Sequence, residues 1–167
     1  MNKKIIIIDD DDNIKSDYEE ILLEEKEDKR LQEISGFIND GNEPKKDNKN
    51  KIDYELDFAK QGEEGFNMIK KSLKENNPYS LAFIDMRMPP GWNGLKTSKK
   101  IREIDKEIEI VIVTAYADVP RSKIVSEIGQ PNKLLYLKKP FATEEIEQLA
   151  AEYHLNIVKD CVLASLH

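Results

Sequence analysis

Five residues able to do chemistry stand just beyond short apolar runs. Asp9 and Asp10 follow Ile5 to Ile8, Asp85 follows Leu81 to Ile84, Thr114 follows Ile110 to Val113, and Lys139 closely follows Leu134 to Leu137. An acid so placed has just left a core, at the carboxyl end of its strand, where open α/β sheets bind ligands. If these ends share one sheet edge, three carboxylates, a hydroxyl and an ammonium meet there. Carboxylates alone would repel: two unit charges ~4 Å apart cost about 4 kcal/mol at an effective dielectric of 20. A divalent cation relieves that repulsion. Oxygen donors with no nearby His or Cys select Mg²⁺, or a similar ion such as Mn²⁺. In such a cradle Asp85 is the nucleophile of an aspartyl phosphate, and the metal and Lys139 neutralise its charge. Taken alone, Asp85 reads as a turn former before Met-Arg-Met-Pro-Pro. The other strand ends favour the site.

The elements that must position these residues are legible in the apolar pattern. Four consecutive isoleucines, Ile5 to Ile8, predict a central strand buried on both faces. Ile14, Tyr18, Ile21 and Leu22 recur at helical spacing, so a first helix starts near Asn13, with Asp11, Asp12 or Asn13 as its cap. Leu31, Ile34, Phe37 and Ile38 resume helical spacing, and Asn39 to Asn50 reads as a polar, low-complexity loop. Tyr54, Leu56 and Phe58 alternate as a second strand, and Phe66, Met68, Ile69 and Leu73 mark a helix beginning near Gly62 and Gly65. A third helix over Gly94 to Ile104 carries its Lys and Arg outward. A fourth spans about Pro120 to Ile128. Thr143 caps a final helix with Ile146, Leu149, Ala150, Tyr153 and Ile157 on its apolar stripe. Strands alternating with helices predict one α/β domain, a parallel sheet with helices on both faces.

Composition limits the function. A net charge of -7 argues against a nucleic-acid or anionic-membrane surface. Cys161 has no partner for an intramolecular disulfide, and Ile5 to Ile8 is too short for a membrane span or signal peptide. A cytoplasmic setting is the expectation.

Five segments together, Ile5-Ile-Ile-Ile-Asp-Asp10, Ile84-Asp-Met-Arg-Met-Pro89, Asn93-Gly94-Leu95, Val113-Thr-Ala115 and Tyr136-Leu-Lys-Lys-Pro-Phe141, resemble the receiver domain of two-component response regulators. They lie in the family's order across about residues 3 to 154. The resemblance implies a flavodoxin-like three-layer sandwich with a five-stranded parallel sheet in the order 2-1-3-4-5. Chemotaxis receivers are a familiar instance of that order, so the strand order comes from the resemblance alone. It implies Asp85 as phosphoacceptor, Asp10 and Asp9 as metal ligands with the backbone carbonyl of Arg87, and Thr114 and Lys139 at the phosphoryl group. Tyr136 matches the switch aromatic, which turns inward when Thr114 moves toward the phosphate. Arg87 and Tyr116, two positions beyond Asp85 and Thr114, would tune hydrolysis by shielding the acyl phosphate.

The implied function is acceptance of a phosphoryl group from a sensor histidine kinase or phosphotransfer protein, with no enzymatic activity beyond self-phosphorylation and autodephosphorylation. A downstream protein, and a second copy of the chain in a homodimer, complete the expected partners. The alternative is a phosphorylation-independent interaction module on the same fold. A phosphatase of the haloacid dehalogenase type would want a second Asp where Arg87 stands. Three features depart from the family's common pattern. The turn Pro89-Pro-Gly-Trp-Asn-Gly94 is one residue longer, the segment over residues 24–52 is an insertion, and Gly129 and Tyr136 are more widely spaced. The receiver domain is expected over 1–154, with residues 155–167 a helical tail or linker.

Overall fold

The structure, a computed structural model, describes residues 3–23, 53–115 and 119–152. The expectations for the 24–52 insertion, for Tyr116 and for the tail fall outside those residues.

β1 (Lys4–Ile8), β2 (Glu55–Ala59), β3 (Leu81–Asp85), β4 (Glu109–Thr114) and β5 (Leu134–Lys138) form one sheet in the order β2-β1-β3-β4-β5. All four pairings are parallel. The expected order is thus observed. α1 (Ile14–Leu23), α2 (Gly62–Lys74), α3 (Gly94–Ile104), α4 (Arg121–Ile128) and a last helix, α5 (residues 143–152), supply the connections and outer layers.

Alternation along the strands sorts the core into two halves, because successive side chains point to opposite faces. Ile6, Ile8, Ile84, Ile110 and Ile112 pack with Ile69 of α2, Ile101 of α3, and Ile124 and Ile128 of α4. Ile5, Ile7, Phe83, Val111 and Val113 pack with Ile14, Tyr18 and Leu22 of α1, and with Ile146 and Ala150 of α5. The isoleucine run of β1 is therefore buried from both sides, each side chain contributing about 1.5–3 kcal/mol.

Two expectations about local structure are corrected. Arg102 is not on the outer side of α3: it is buried. Its guanidinium donates to the carbonyls of Ile108 at 2.8 Å, Lys133 at 3.0 Å and Asp105 at 3.3 Å. Burial lowers its pKa, and the charges of Asp105, Glu109 and Glu107 oppose that shift. Thr143 is the first helical residue of α5 and not its cap. The Glu145 carboxylate instead accepts the Ala142 N–H at 2.7 Å, which satisfies one donor at the helix start.

The wide spacing between Gly129 and Tyr136 is taken up by a 3-10 turn, Pro131–Lys133, with Gln130 in the left-handed region at φ 49°. Arg102 ties that turn to α3, and Lys133 ties it to Glu107 at 3.0 Å. The extra residues are bound at the amino-end side of β5, away from the strand ends that carry the chemistry.

Candidate functional site

Register brings the site together. Ile8 of β1 pairs with Ile84 of β3, so Asp9 leaves the sheet level with Asp85. Asp85 pairs with Val113, and Thr114 with Lys138, so β4 and β5 deliver Thr114 and Lys139 one step further on. Backbone bonds lock these ends: Met86 N–H donates to the Val113 carbonyl at 2.9 Å, and Lys139 N–H to the Thr114 carbonyl at 2.8 Å.

At the centre, the Lys139 ammonium lies between two carboxylates. Its Nζ is 2.7 Å from Asp9 Oδ2 and 2.8 Å from Asp85 Oδ1. The Asp9 and Asp85 side chains are only 5% and 10% exposed, against 25% for Lys139. Burial by itself would lower the Lys139 pKa. Hydrogen bonds to Asp85 and Asp9, together with their charges, outweigh it and raise the value. The second oxygen of Asp85 accepts the Arg87 backbone N–H at 2.6 Å, and the second oxygen of Asp9 accepts the Asp11 N–H at 3.0 Å. Both carboxylates are held by two charge-assisted contacts.

Asp9, Asp85 and Lys139 are thus brought into direct contact. Asp10 is exposed at the edge. Among the described residues no group of three or more carboxylate, imidazole or thiolate side chains converges as a metal cage. The donor chemistry nevertheless fits a hard divalent cation: two buried carboxylates face a single ammonium, leaving one uncompensated negative charge beside an exposed acid. Magnesium usually takes one or two carboxylates and completes its shell with water. The Arg87 side chain is exposed, and Tyr116 lies outside the described residues.

The remaining acids of the first run separate from the site. Asp11 accepts the Asn13 N–H at 2.9 Å, as a cap-like turn. Asp12, in the β1–α1 loop, is paired with Lys60 of the β2–α2 turn.

Three contributors were not singled out by sequence reasoning as part of the site. Tyr18 is buried beneath it, 5.1 Å from Phe83 and 6.1 Å from Phe141 between ring centroids. Burial first, then the charges of Asp9 and Asp85, push its pKa well above the usual tyrosine value. Phe141, two residues after Lys139, therefore anchors the Lys139-Pro140 segment on α1. Gly94 lies against the Asp85 carbonyl and Met86 Cα, where a Cβ would collide with backbone. Gln61 donates from Nε2 to the Pro89 carbonyl at 3.3 Å. That bond and the Trp92–Phe66 ring contact, 5.8 Å between centroids, hold the lengthened turn against α2. The Asn-Gly-Leu motif was a signal for Gly94; nothing in the sequence marked Gln61.

Tyr136 and Thr114 line one cleft, whose volume is about 520 Å³, on the α4 side of the sheet end. The Tyr136 hydroxyl is buried without a hydrogen-bond partner, and Arg121 lies over its ring at 5.6 Å. Burial pushes the Tyr136 pKa up to about 12, against the opposing charge of Arg121. A larger cleft of about 610 Å³ lies at the opposite end of the sheet, around Lys3, Lys4, Tyr54 and Asn77, far from this chemistry.

Comparison with known proteins agrees with this geometry. Residues 48–151 match the response regulator receiver domain family. The match begins beyond β1, yet β1 stands in the sheet between β2 and β3 and carries Asp9. The chain is 28% identical over 104 residues to sporulation initiation phosphotransferase F of Bacillus subtilis, covering 62% of this chain and 77% of that protein. It is 33% identical over 95 residues to a probable C4-dicarboxylate response regulator of the same organism, covering 57% of this chain and 38% of that one. The chain thus spans about three-quarters of the first relative and well under half of the second. Among solved structures, a receiver domain protein from Methanospirillum hungatei superposes with a TM-score of 0.59 at 23% identity, covering 93% of this chain and 99% of that one. A response regulator from Thermotoga maritima, solved in complex with Mg(2+)-BeF, gives a TM-score of 0.54 at 24% identity, covering 90% and 98%.

Proposed function

This chain belongs to the response regulator receiver domain family, and on that premise we propose that Asp85 is its phosphoacceptor. The protein is a receiver of two-component signal transduction. Its chemistry is confined to its own phosphorylation and dephosphorylation. The observation that carries the assignment is the Lys139 ammonium held between the buried carboxylates of Asp9 and Asp85.

In the proposed reaction an Asp85 oxygen attacks the phosphorus of a phosphohistidine. The new P–O bond forms as the donor's P–N bond breaks, and the donor imidazole keeps the electron pair. Lys139 is placed to neutralise charge on the phosphoryl oxygens. Its raised pKa keeps it an ammonium throughout the physiological range. The cofactor is Mg²⁺ or Mn²⁺. Asp9, Asp10, Asp85 and the Arg87 carbonyl are the groups proposed to hold it, and when bound it supplies electrostatic stabilisation of the transferring group. Thr114 is proposed as the hydroxyl that meets the phosphoryl group. Tyr136, on the same cleft, is the aromatic that follows it. The Arg87 side chain, with Tyr116, is proposed to shield the acyl phosphate from water.

The phosphodonor is proposed to be a sensor histidine kinase or a phosphotransfer protein, in keeping with the chain's membership of the receiver domain family. The output is a downstream protein that reads the surface of α4, β5 and α5. No helix among the described residues is long and apolar enough to cross a membrane. We assign the receiver domain to residues 1–154, with the 24–52 insertion, and the remainder to a tail or linker.

The test is phosphorylation with acetyl phosphate and Mg²⁺ followed by hydroxylamine. An acyl phosphate at a carboxylate is discharged by hydroxylamine. No product would instead support the phosphorylation-independent module, and a product that resists hydroxylamine would move the phosphoryl group from Asp85 to a group other than a carboxylate.

A further inference from the structure

Ala59, Lys60 and Gln61, consecutive at the carboxyl end of β2, reach both chain segments that carry the proposed oxygen donors. The Ala59 carbonyl accepts the Asp9 N–H at 3.0 Å, and Lys60 pairs with Asp12. The backbone that presents Asp10 is therefore held on both sides of it. Gln61 donates from Nε2 to the Pro89 carbonyl at 3.3 Å, two positions past Arg87. Gly91 comes so close that a Cβ there would collide with Gln61 Oε1. The β2–α2 turn is itself fixed to α2: Glu64 accepts the Lys60 N–H at 2.8 Å, and the Gln61 carbonyl accepts the Gly65 N–H at 3.0 Å. One turn thus ties the acid loop after β1 to the lengthened turn after β3.

We propose that Lys60 and Gln61 are positioning residues for the divalent cation, acting through Asp12 and Pro89 to hold Asp10 and the Arg87 carbonyl in place before it binds. The inference rests on the assignment of those two groups to the cation in the receiver reading above. Magnesium demands near-ideal octahedral geometry, so ligands on a loose loop must be ordered at the expense of affinity, and a loop ordered in advance avoids that loss. Lys60 gives the role a sign of its own. Its ammonium stands beside an acidic loop, so by charge alone its removal would tighten cation binding. Loss of positioning weakens it.

The experiment is isothermal titration of Mg²⁺ into the full chain, with no phosphodonor present. Lys60→Met and Gln61→Met are each expected to weaken Mg²⁺ binding by about three-fold, the scale of one exposed ion pair or one hydrogen bond. Lys60→Arg, which keeps the pair with Asp12, is expected to bind as wild type does. Asp10→Asn, which removes a proposed ligand, is expected to lose most of the affinity. Tighter or unchanged binding in Lys60→Met, unchanged binding in Gln61→Met, or a loss in Lys60→Arg equal to that in Lys60→Met would overturn the positioning role. If Asp10→Asn still weakens binding in that case, the cation assignment stands without it. Wild-type affinity in Asp10→Asn, or no binding by wild type, would overturn the cation assignment and the positioning role together.

Discussion

Lys139 meets Asp85 at 2.8 Å, although the two residues leave strands on either side of β4. The contact exists because Lys139 N–H is bonded to the Thr114 carbonyl, one residue past the Val113 that pairs with Asp85. Replacing Lys139 with Met removes the positive charge proposed to face the transferring group. Phosphorylation of Asp85 is expected to slow by about 10²-fold or more, the cost of losing one preorganised donor at a charged transition state. Single-turnover phosphotransfer measures it, and an unchanged rate would remove Lys139 from the chemistry.

Gly94 and the Asp85 carbonyl approach too closely for a side chain. Gly94→Ala must therefore push α3 away from the end of β3. A loss of about 1–3 kcal/mol is expected, the usual cost of overpacking, read as a lower urea midpoint at constant slope.

Arg102 offers a test of the opposite edge. Arg102→Met fills much of the same volume but leaves the carbonyls of Asp105, Ile108 and Lys133 without the guanidinium. A destabilisation of about 3 kcal/mol is expected, at the upper end of single-residue effects. Urea unfolding checks it, and phosphorylation at Asp85 should survive wherever the variant is folded.

The tyrosines predict an alkaline limit to stability. Burial raises Tyr54 and Tyr136 to about 12 and moves Tyr18 and Tyr79 upward as well. A folded state that holds these protons more tightly than the unfolded chain is favoured fully below the unfolded value, about 10. That contribution is lost as pH rises through 10 toward the folded values. Ultraviolet titration should show these four phenols ionising late, with the thermal midpoint falling over the same window. Ionisation of all six tyrosines near 10 in folded protein would contradict the burial described.

The fold was legible because the signals in its strands and helices agreed. The isoleucines of β1, the stripe on α1 and the glycines of α2 and α3 each fit one local choice with one global arrangement. The contact of Asp9, Asp85 and Lys139 was legible for a related reason, since each stands at or just past the end of an apolar run. Arg102 was misread because charge on a helix usually means solvent, and only tertiary structure brings three carbonyls to its guanidinium. Gln61 was invisible because its role depends on how a turn distant in sequence docks against α2. The Thr143 cap was a matter of one residue: the helix starts at Thr143, and the Glu145 carboxylate reaches back to the Ala142 N–H.

The central claim is that one carboxylate, Asp85, takes the phosphoryl group. Intact mass spectrometry of wild type and Asp85→Asn, each incubated with acetyl phosphate and Mg²⁺, tests it most directly. A single phosphoryl increment in wild type, absent from Asp85→Asn, is the predicted result; an increment that persists in Asp85→Asn, or none in wild type, would contradict it.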